Sequence, residues 1–166
     1  MIFVTVGTEL PFDRLIKAVD LWAQETGRTD IFAQIGDGGW EPQYLRFNHF
    51  LDPYDFAERF RSADAVVAHA GMGTILSALQ HTKPILIMPR RSSLGEQRND
   101  HQVATARRML RMGKVNVAFN ETELRLKLHR LNELTVCNPI GPFASEDLLS
   151  AIRDFIWSDT PIDGEV

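Results

Sequence analysis

The sequence is poor in the features that mark secreted and membrane proteins. Its single cysteine, Cys137, cannot form an internal disulfide, which favours a reducing compartment. Long apolar runs are missing, and residues 1–7 carry no basic leader and are too short for a signal peptide or a membrane span. A formal net charge of -4 gives no overall attraction to nucleic acid. We therefore expect a cytoplasmic protein without a nucleic-acid partner.

Common nucleotide-binding and metal-binding motifs are also absent. No Gly-x4-Gly-Lys-Ser/Thr pattern occurs, and no Gly-x-Gly-x-x-Gly follows the first apolar segment. These absences weigh against kinase-like and dehydrogenase functions. No cluster of metal-ligating side chains is visible in the sequence. We therefore expect neither a metal nor another cofactor.

Short apolar strands alternate with helices along the chain. The 166 residues, 44% of them hydrophobic, suffice for one good core. The run at 65–68 is apolar on both alternating faces, which is typical of a parallel strand covered by helices. We predict one Rossmann-like doubly wound α/β domain over residues 1–158, with five to six parallel strands, helices on both faces and a frayed tail at 159–166. The predicted strands are 2–6, 31–35, 65–68, 84–88 and 115–118, with a further apolar stretch at 44–51, and the helices follow Pro11 or lie at 55–61, 75–80, 99–112, 121–131 and 145–157.

The segment from His69 to Thr74 joins a predicted strand to a predicted helix and carries the most informative chemical signal. Gly71 and Gly73 permit close backbone approach, the helix N-terminus presents free N–H groups, and Thr74 adds a hydroxyl. These groups suit a phosphate. His69 can donate a hydrogen bond to the same anion, or attract it when protonated. The alternative is a tight turn with a packed histidine.

Positive charge is concentrated between Arg90 and Lys114. This segment contains seven Lys or Arg and two acidic residues, so it carries about +5 while the rest of the chain carries about -9. Arg90 and Arg91 follow a predicted strand and either reach a diphosphate or an anionic acceptor, or lie solvated on the surface. The later basic residues form a solvated helix face or a surface attracted to an anionic membrane, and they are Arg107, Arg108, Arg111 and Lys114.

Two stretches of the sequence together resemble a known family. They read HAGMGTILSALQHTKPILIMPR and NDHQVATARRM. With this spacing they are similar to the C-terminal, donor-binding domain of family 28 glycosyltransferases of the GT-B fold. The resemblance covers nearly the whole chain from Gly7-Thr8 onward. It is greatest to short free-standing versions, which are the soluble subunits of two-part transferases that use UDP-GlcNAc or build exopolysaccharides.

The resemblance implies roles for individual residues. Gly7 and Thr8 match a loop over the active-site cleft, and Phe50-Leu51 match the segment whose backbone contacts the uracil ring. An amide side chain can both donate to and accept from sugar hydroxyls. The implied diphosphate loop contains His69, Gly71, Met72, Gly73 and Thr74, and the implied contacts to the donor sugar are Asp100 and Gln102, of which Gln102 is the better match.

One position departs from the family pattern. Relatives generally place a glutamate that holds the ribose hydroxyls one turn into the helix after the loop, and this chain has Ser77 there. A serine is shorter and uncharged, so ribose recognition through Ser77 is either weaker or shared with another group.

A complete GT-B enzyme has two Rossmann-like domains, and this chain supplies one of them. The resemblance implies the donor-binding subunit of a split, membrane-associated glycosyltransferase. It would transfer GlcNAc or a related hexose from a UDP-sugar to a lipid-linked acceptor, in polysaccharide or glycolipid synthesis, by metal-independent inverting transfer. Two alternatives remain open. One is a non-catalytic nucleotide-sugar-binding regulatory module, and the other is an epimerase-type sugar-nucleotide enzyme, which normally needs a second domain in the same chain.

The split enzyme requires a partner, and the last predicted helix is a candidate contact. The resemblance implies a membrane-anchored acceptor-binding subunit, which would hold this chain peripherally at the cytoplasmic membrane and without which it would be inactive. The helix at 145–157 is more apolar than a terminal helix on a small sheet requires. We predict that Phe155, Ile156 or Trp157 contacts this partner, with packing inside the domain as the alternative.

Overall fold

A computed structural model describes residues 1–134, 143–144 and 146–157 of the chain. Cys137, the segment at 137–142 and the predicted tail at 159–166 lie outside these residues. The strands are β1 (Ile2–Thr5), β2 (Ile31–Gln34), β3 (Arg46–Asn48), β4 (Ala65–His69), β5 (Ile85–Met88) and β6 (Asn116–Val117). The helices are α1 (Asp13–Thr26), α2 (Pro53–Ser62), α3 (Met72–Gln80), α4 (His101–Arg111), α5 (Glu121–His129) and α6 (Glu146–Trp157), with single 3-10 turns at Ser92–Leu94 and Leu131–Glu133.

The six strands form one parallel sheet in the order β3-β2-β1-β4-β5-β6. In the register, Val4 lies opposite Ala33 on one side and Val67 on the other. The chain runs outward from β1 to β3, crosses back to β4 beside β1, and continues outward to β6. This order confirms the predicted doubly wound fold. The change of direction between β1 and β4 opens a crevice at the carboxyl ends of the strands, where such sheets bind ligands.

Helices cover both faces of the sheet. On one face, Leu15 of α1 and Leu124 of α5 belong to the same buried cluster. On the other face, Phe60 of α2, Ile75 of α3 and Ala106 of α4 share a second cluster. Complete burial of a large aliphatic or aromatic side chain stabilises a fold by about 1.5–3 kcal/mol. The helices cover the two faces of the sheet. The carboxyl ends of the strands are not covered in this way, so a site can form there.

Helix starts follow local sequence signals. Helix α2 begins after Asp52, whose carboxylate accepts the N–H of Asp55, and Pro53 occupies the first helical position. Helix α5 begins after Asn120, whose side chain accepts the N–H of Glu123. Helix α3 has no such cap and starts at residue 72 rather than at the predicted 75. The phosphate-loop residues 73 and 74 therefore lie inside the first helical turn.

The apolar stretch predicted at 44–51 contains the short edge strand β3. Its position is set by Asp20 of α1, which is buried and accepts N–H groups from Gln43, Tyr44 and Leu45. These three backbone donors satisfy the hydrogen-bonding capacity of the buried side chain. This anchor accounts for the sixth strand in a segment that otherwise lacks regular structure.

Helix α6 contributes no buried residue to either core cluster. The side chains of Phe155, Ile156 and Trp157 are 82%, 63% and 81% exposed. The alternative of burial inside the domain is therefore not observed for these three residues. Like the other helices in the described ranges, α6 lacks the combination of length and apolar composition that a membrane crossing requires.

Candidate functional site

A pocket of about 380 Å³ lies at the carboxyl ends of β1 and β4, where the direction of the sheet changes. Residues after β1, β4 and β5 line it together with the first turns of α3 and α4. This location is the one that doubly wound sheets use for ligands. The pocket lining brings together nine of the predicted site residues, namely Gly7, Thr8, His69, Gly71, Gly73, Thr74, Ser77, Arg90 and Gln102.

The first turn of α3 is open toward this pocket. Gly71 is the N-cap residue, no side chain caps the helix, and no acidic residue lies in the first turn. The first hydrogen bond into the helix runs from the N–H of Ile75 to the carbonyl of Gly71. The N–H groups of Met72, Gly73 and Thr74 therefore precede the helical ladder, as at any helix start. Such a terminus carries partial positive charge and suits a phosphate.

The ring of His69 lies in a slot between two glycines. A Cβ at Gly71 would come 2.1 Å from Nε2 of His69, and a Cβ at Gly7 would come 2.8 Å from its Cε1. Gly7 also has a φ of 80°, which side-chain-bearing residues rarely adopt. Both glycines are therefore needed for this ring position. Gly73 differs, because a Cβ there would meet no atom within 4 Å.

His69 is neutral near physiological pH. Burial lowers the pKa of its imidazole to about 4, the positive charge of Arg90 acts in the same direction, and a hydrogen bond with the Thr5 backbone opposes them. The sequence left open that a protonated His69 attracts the anion, and this route is not available in the ligand-free pocket. A neutral imidazole can still donate one hydrogen bond to a phosphate oxygen.

Arg90 is buried rather than solvated, which corrects one of the two interpretations of the sequence. Its Nη2 donates to the carbonyls of Val6 and Leu10, at 3.0 Å for Val6, and its guanidinium lies over the ring of Phe12. Burial lowers its pKa from the ordinary value, while the charges of Glu96 and Glu9 act in the opposite direction. Arg90 thus ties β5 to the loop after β1 and places a positive charge beneath the pocket.

Gln102 and Ser77 are oriented by the backbone of the same site. Oε1 of buried Gln102 accepts the N–H of Arg90 at 3.2 Å. The side chain therefore holds the segment after β5 and lines the pocket at the same time. The hydroxyl of Ser77 donates to the carbonyl of Gly73 at 2.9 Å. Its oxygen can still accept a hydrogen bond from a ribose hydroxyl, but it cannot donate one as well.

Two buried polar residues of the site were missed in the sequence. Gln34 at the end of β2 is buried and donates to the carbonyl of Gly7 at 3.1 Å, which holds the loop after β1. Oε1 of Gln34 is buried without a hydrogen-bond partner in the described part of the chain. Thr5 accepts the N–H of Gly7 through its hydroxyl. A glutamine in the apolar run 31–35 was the available signal, since a buried polar side chain needs a specific partner.

Four predicted residues do not line this pocket. Asp100 lies at the start of α4, and its carboxylate accepts the N–H of Ser92 at 2.8 Å, facing a different groove. Leu51 is buried in the core and Phe50 is 57% exposed. Met72 is 41% exposed. The proposed contacts of the Phe50-Leu51 backbone to a uracil ring remain a prediction.

A second cavity is less suited to binding an anion. It is larger, at about 810 Å³, and lies along α1 and α5, where the guanidinium of Arg14 is paired with Glu96 at 2.6 Å and with Glu121 at 3.5 Å. Its main cation is therefore already neutralised. Among residues 1–134, 143–144 and 146–157, no group of three His, Cys, Asp or Glu side chains is placed to hold a metal ion.

Comparison with known proteins agrees with this fold. Residues 1–134 match the model of the family described as glycosyltransferase family 28 C-terminal domain. UDP-N-acetylglucosamine transferase subunit ALG13 of Homo sapiens is 31% identical over 122 residues, which cover 68% of this chain and 10% of the relative. This chain therefore spans about a tenth of the length of that relative.

Solved structures show the same fold at low sequence identity. A solution structure of ALG13 has a TM-score of 0.55 and 21% identity, covering 91% of this chain and 93% of that one. The crystal structure of MurG from Acinetobacter baumannii has a TM-score of 0.58 and 18% identity, covering 81% of this chain and 42% of that one. The match to the family model over most of the sequence settles the family: the chain belongs to the glycosyltransferase family 28 C-terminal domain family.

Proposed function

We propose that this chain is the donor-binding subunit of a two-part glycosyltransferase and that its pocket at β1 and β4 holds the diphosphate of a UDP-sugar. The observation that carries this proposal is the uncapped first turn of α3, which faces the pocket beside His69 and above buried Arg90. Three kinds of favourable group for an anion meet there: backbone N–H donors, an imidazole and a buried positive charge. The acidic residue on the lining, Glu9, lies on an exposed loop.

This arrangement suits the chemistry of sugar transfer. When the bond between sugar and diphosphate breaks, negative charge grows on the departing UDP. Fixed donors aimed at that charge lower the barrier without reorganising during the reaction. The N–H groups of the first turn of α3 and the hydrogen bond from neutral His69 serve this purpose. Arg90 contributes its charge, and its Nη2 is held by the backbone carbonyls of Val6 and Leu10.

A membrane-anchored acceptor-binding subunit is the proposed partner. The described residues form one Rossmann-like unit, and transfer in this fold takes place between two such units. The matched human relative is itself named as a transferase subunit. The acceptor we propose is a lipid-linked sugar, and the chain would lie at the cytoplasmic face of the membrane through its partner, serving polysaccharide or glycolipid synthesis.

Gln102 provides a test of donor-sugar recognition. Gln102→Ala should weaken a UDP-sugar about fivefold more than free UDP, because its amide is proposed to contact sugar hydroxyls. It should also lower the free energy of unfolding by about 1–3 kcal/mol, since the buried N–H of Arg90 loses its acceptor. Calorimetry with both ligands and chemical unfolding measure the two effects. Gln102→Glu is the matched control, because it keeps an acceptor for Arg90 and should unfold closer to the wild type. An equal loss of affinity for UDP and UDP-sugar would contradict the proposed contact between Gln102 and the sugar.

Helix α6 provides a test of the partner. Replacing Phe155, Ile156 and Trp157 with serine should abolish co-purification with the acceptor subunit and leave UDP affinity unchanged, because these exposed side chains lie outside both core clusters. Leu126→Ser on α5 is the control, since Leu126 is 63% exposed on a different helix. Unchanged capture of the partner by the triple variant would contradict this assignment of α6.

The transfer reaction itself is tested by co-expression with the acceptor subunit. The purified complex should transfer sugar from a UDP-sugar to a lipid-linked acceptor, and a series of UDP-sugars identifies the preferred donor. A regulatory module is the second candidate, motivated by Ser77 at the ribose position. It predicts UDP-sugar binding without transfer by the complex. Release of an isomerised sugar nucleotide would instead indicate the epimerase alternative.

A further inference from the structure

Helix α4 lines a second groove beside the pocket at β1 and β4. Gln102 faces the donor pocket, while residues one turn apart along another side of the helix line a groove of about 570 Å³. The groove lies between α4 and the segments that follow β5 and β6. Its lining includes Arg91, Val103, Arg107, Leu110, Arg111 and Phe119.

The groove carries unbalanced positive charge. The guanidinium groups of Arg107 and Arg111 form no hydrogen bond or ion pair within the described ranges, although the charge of Arg107 acts on nearby Asp100. The guanidinium of Arg91 donates to the uncharged carbonyl of Phe119. The acidic residue of the lining is Asp100, whose carboxylate accepts the N–H of Ser92. Three guanidinium groups and one carboxylate give a local charge of about +2.

Apolar side chains also line the groove. Val103 and Phe119 are half-buried, and Leu110 is 44% exposed. Met112, at the end of α4, is also 53% exposed. A simple inorganic anion has no need of these surfaces. An anion that carries hydrocarbon close to its charge matches both parts of the groove.

We propose that this groove binds the phosphate of an anionic phospholipid headgroup and docks the chain on a lipid surface. The arginines hold the phosphate, and Val103, Leu110 and Phe119 contact the carbon atoms next to it. Residues 90–114 carry about +5 in the sequence, and within this segment Arg107 and Arg111 are exposed on the same side of α4. This side of the helix therefore favours a negative surface. This contact does not depend on the proposed transfer reaction.

Vesicle binding by the full chain tests the proposal. The chain should bind vesicles that contain phosphatidylglycerol and not vesicles of phosphatidylcholine alone. The double variant Arg107→Gln/Arg111→Gln should bind the anionic vesicles about 25-fold more weakly, at about fivefold for each arginine. The matched control is Arg108→Gln/Arg125→Gln, which removes the same charge from positions that do not line the groove. It should lose far less affinity.

Two further arms distinguish binding in the groove from general electrostatic attraction and from binding of free phosphate. Leu110→Ser keeps the charge and should still weaken vesicle binding severalfold, whereas general electrostatic attraction would leave binding unchanged. Inorganic phosphate at matched ionic strength should not displace the chain. Equal losses in the two double variants, an unaffected Leu110→Ser, displacement by phosphate, or capture only of an acidic protein would each overturn the lipid assignment. Thermal unfolding of each variant checks that the fold is retained.

Discussion

Gly73→Asp should abolish binding of UDP and UDP-sugars. The position lies in the open first turn of α3, and the new carboxylate would face the phosphate oxygens from within the proposed site. Two unit charges about 4 Å apart repel each other by about 4 kcal/mol at the effective dielectric near a protein surface. We therefore expect at least a hundredfold loss of affinity in titration calorimetry, even after partial screening by salt.

The same substitution should leave the fold intact, which makes the result specific. A Cβ at Gly73 meets no atom within 4 Å, and a negative charge in the first turn of a helix is favourable by about 0.3–1 kcal/mol. Thermal stability should therefore be equal or slightly higher. Gly73→Asn is the matched control, because it has the same shape without the charge and should retain much more affinity. If wild type and Gly73→Asp bound UDP with equal affinity, the assignment of this loop as the diphosphate site would be wrong.

Acidification should destabilise the protein through His69. The pKa of His69 is lowered by burial to about 4, so the folded chain binds fewer protons than the unfolded chain between about pH 4 and 6.5. Stability is therefore lost as the pH falls through this interval and changes no further below it. The expected loss at about pH 5, relative to about pH 7.5, is about 2 kcal/mol of unfolding free energy.

His69→Asn isolates this contribution. Carboxylates and other histidines titrate in both proteins, so the difference between the two unfolding curves as a function of pH reports on His69. The variant should show a pH dependence flatter by about 2 kcal/mol over the same range. Parallel curves for wild type and variant would show that the ring protonates in the folded state as easily as in the unfolded state.

The fold could be predicted because its signals are local and repeated. Runs such as 65–68 are apolar on both faces, which is typical of a strand in a sheet covered by helices on both sides. Strand β3 was less clear, since it has three residues and depends on Asp20, a distant residue of α1. The start of α3 was also placed late, because Gly71 and Gly73 weaken the helical pattern where the site requires them.

The loop of the site could be predicted from the sequence, but the residues that hold the loop after β1 in place could not. His69, Gly71 and Gly73 are adjacent in sequence, so their shared role was visible. Arg90 and Gln34 act through contacts with the loop after β1, across 84 and 27 positions of the chain. Sequence spacing contains no information on such contacts. The neutral state of His69 likewise follows from burial and from the charge of Arg90, which only the assembled sheet brings together.

A titration of UDP followed by amide chemical shifts of the isotope-labelled chain tests the central claim most directly. We predict that the largest changes occur at the free N–H groups of Met72, Gly73 and Thr74, with Gly7 also affected because it borders the same pocket. The larger cavity along α1 and α5, where Leu94 and Glu121 lie, should be unaffected. Changes concentrated in that cavity, or no changes at a saturating concentration of UDP, would contradict the assignment of this chain as a UDP-sugar-binding subunit.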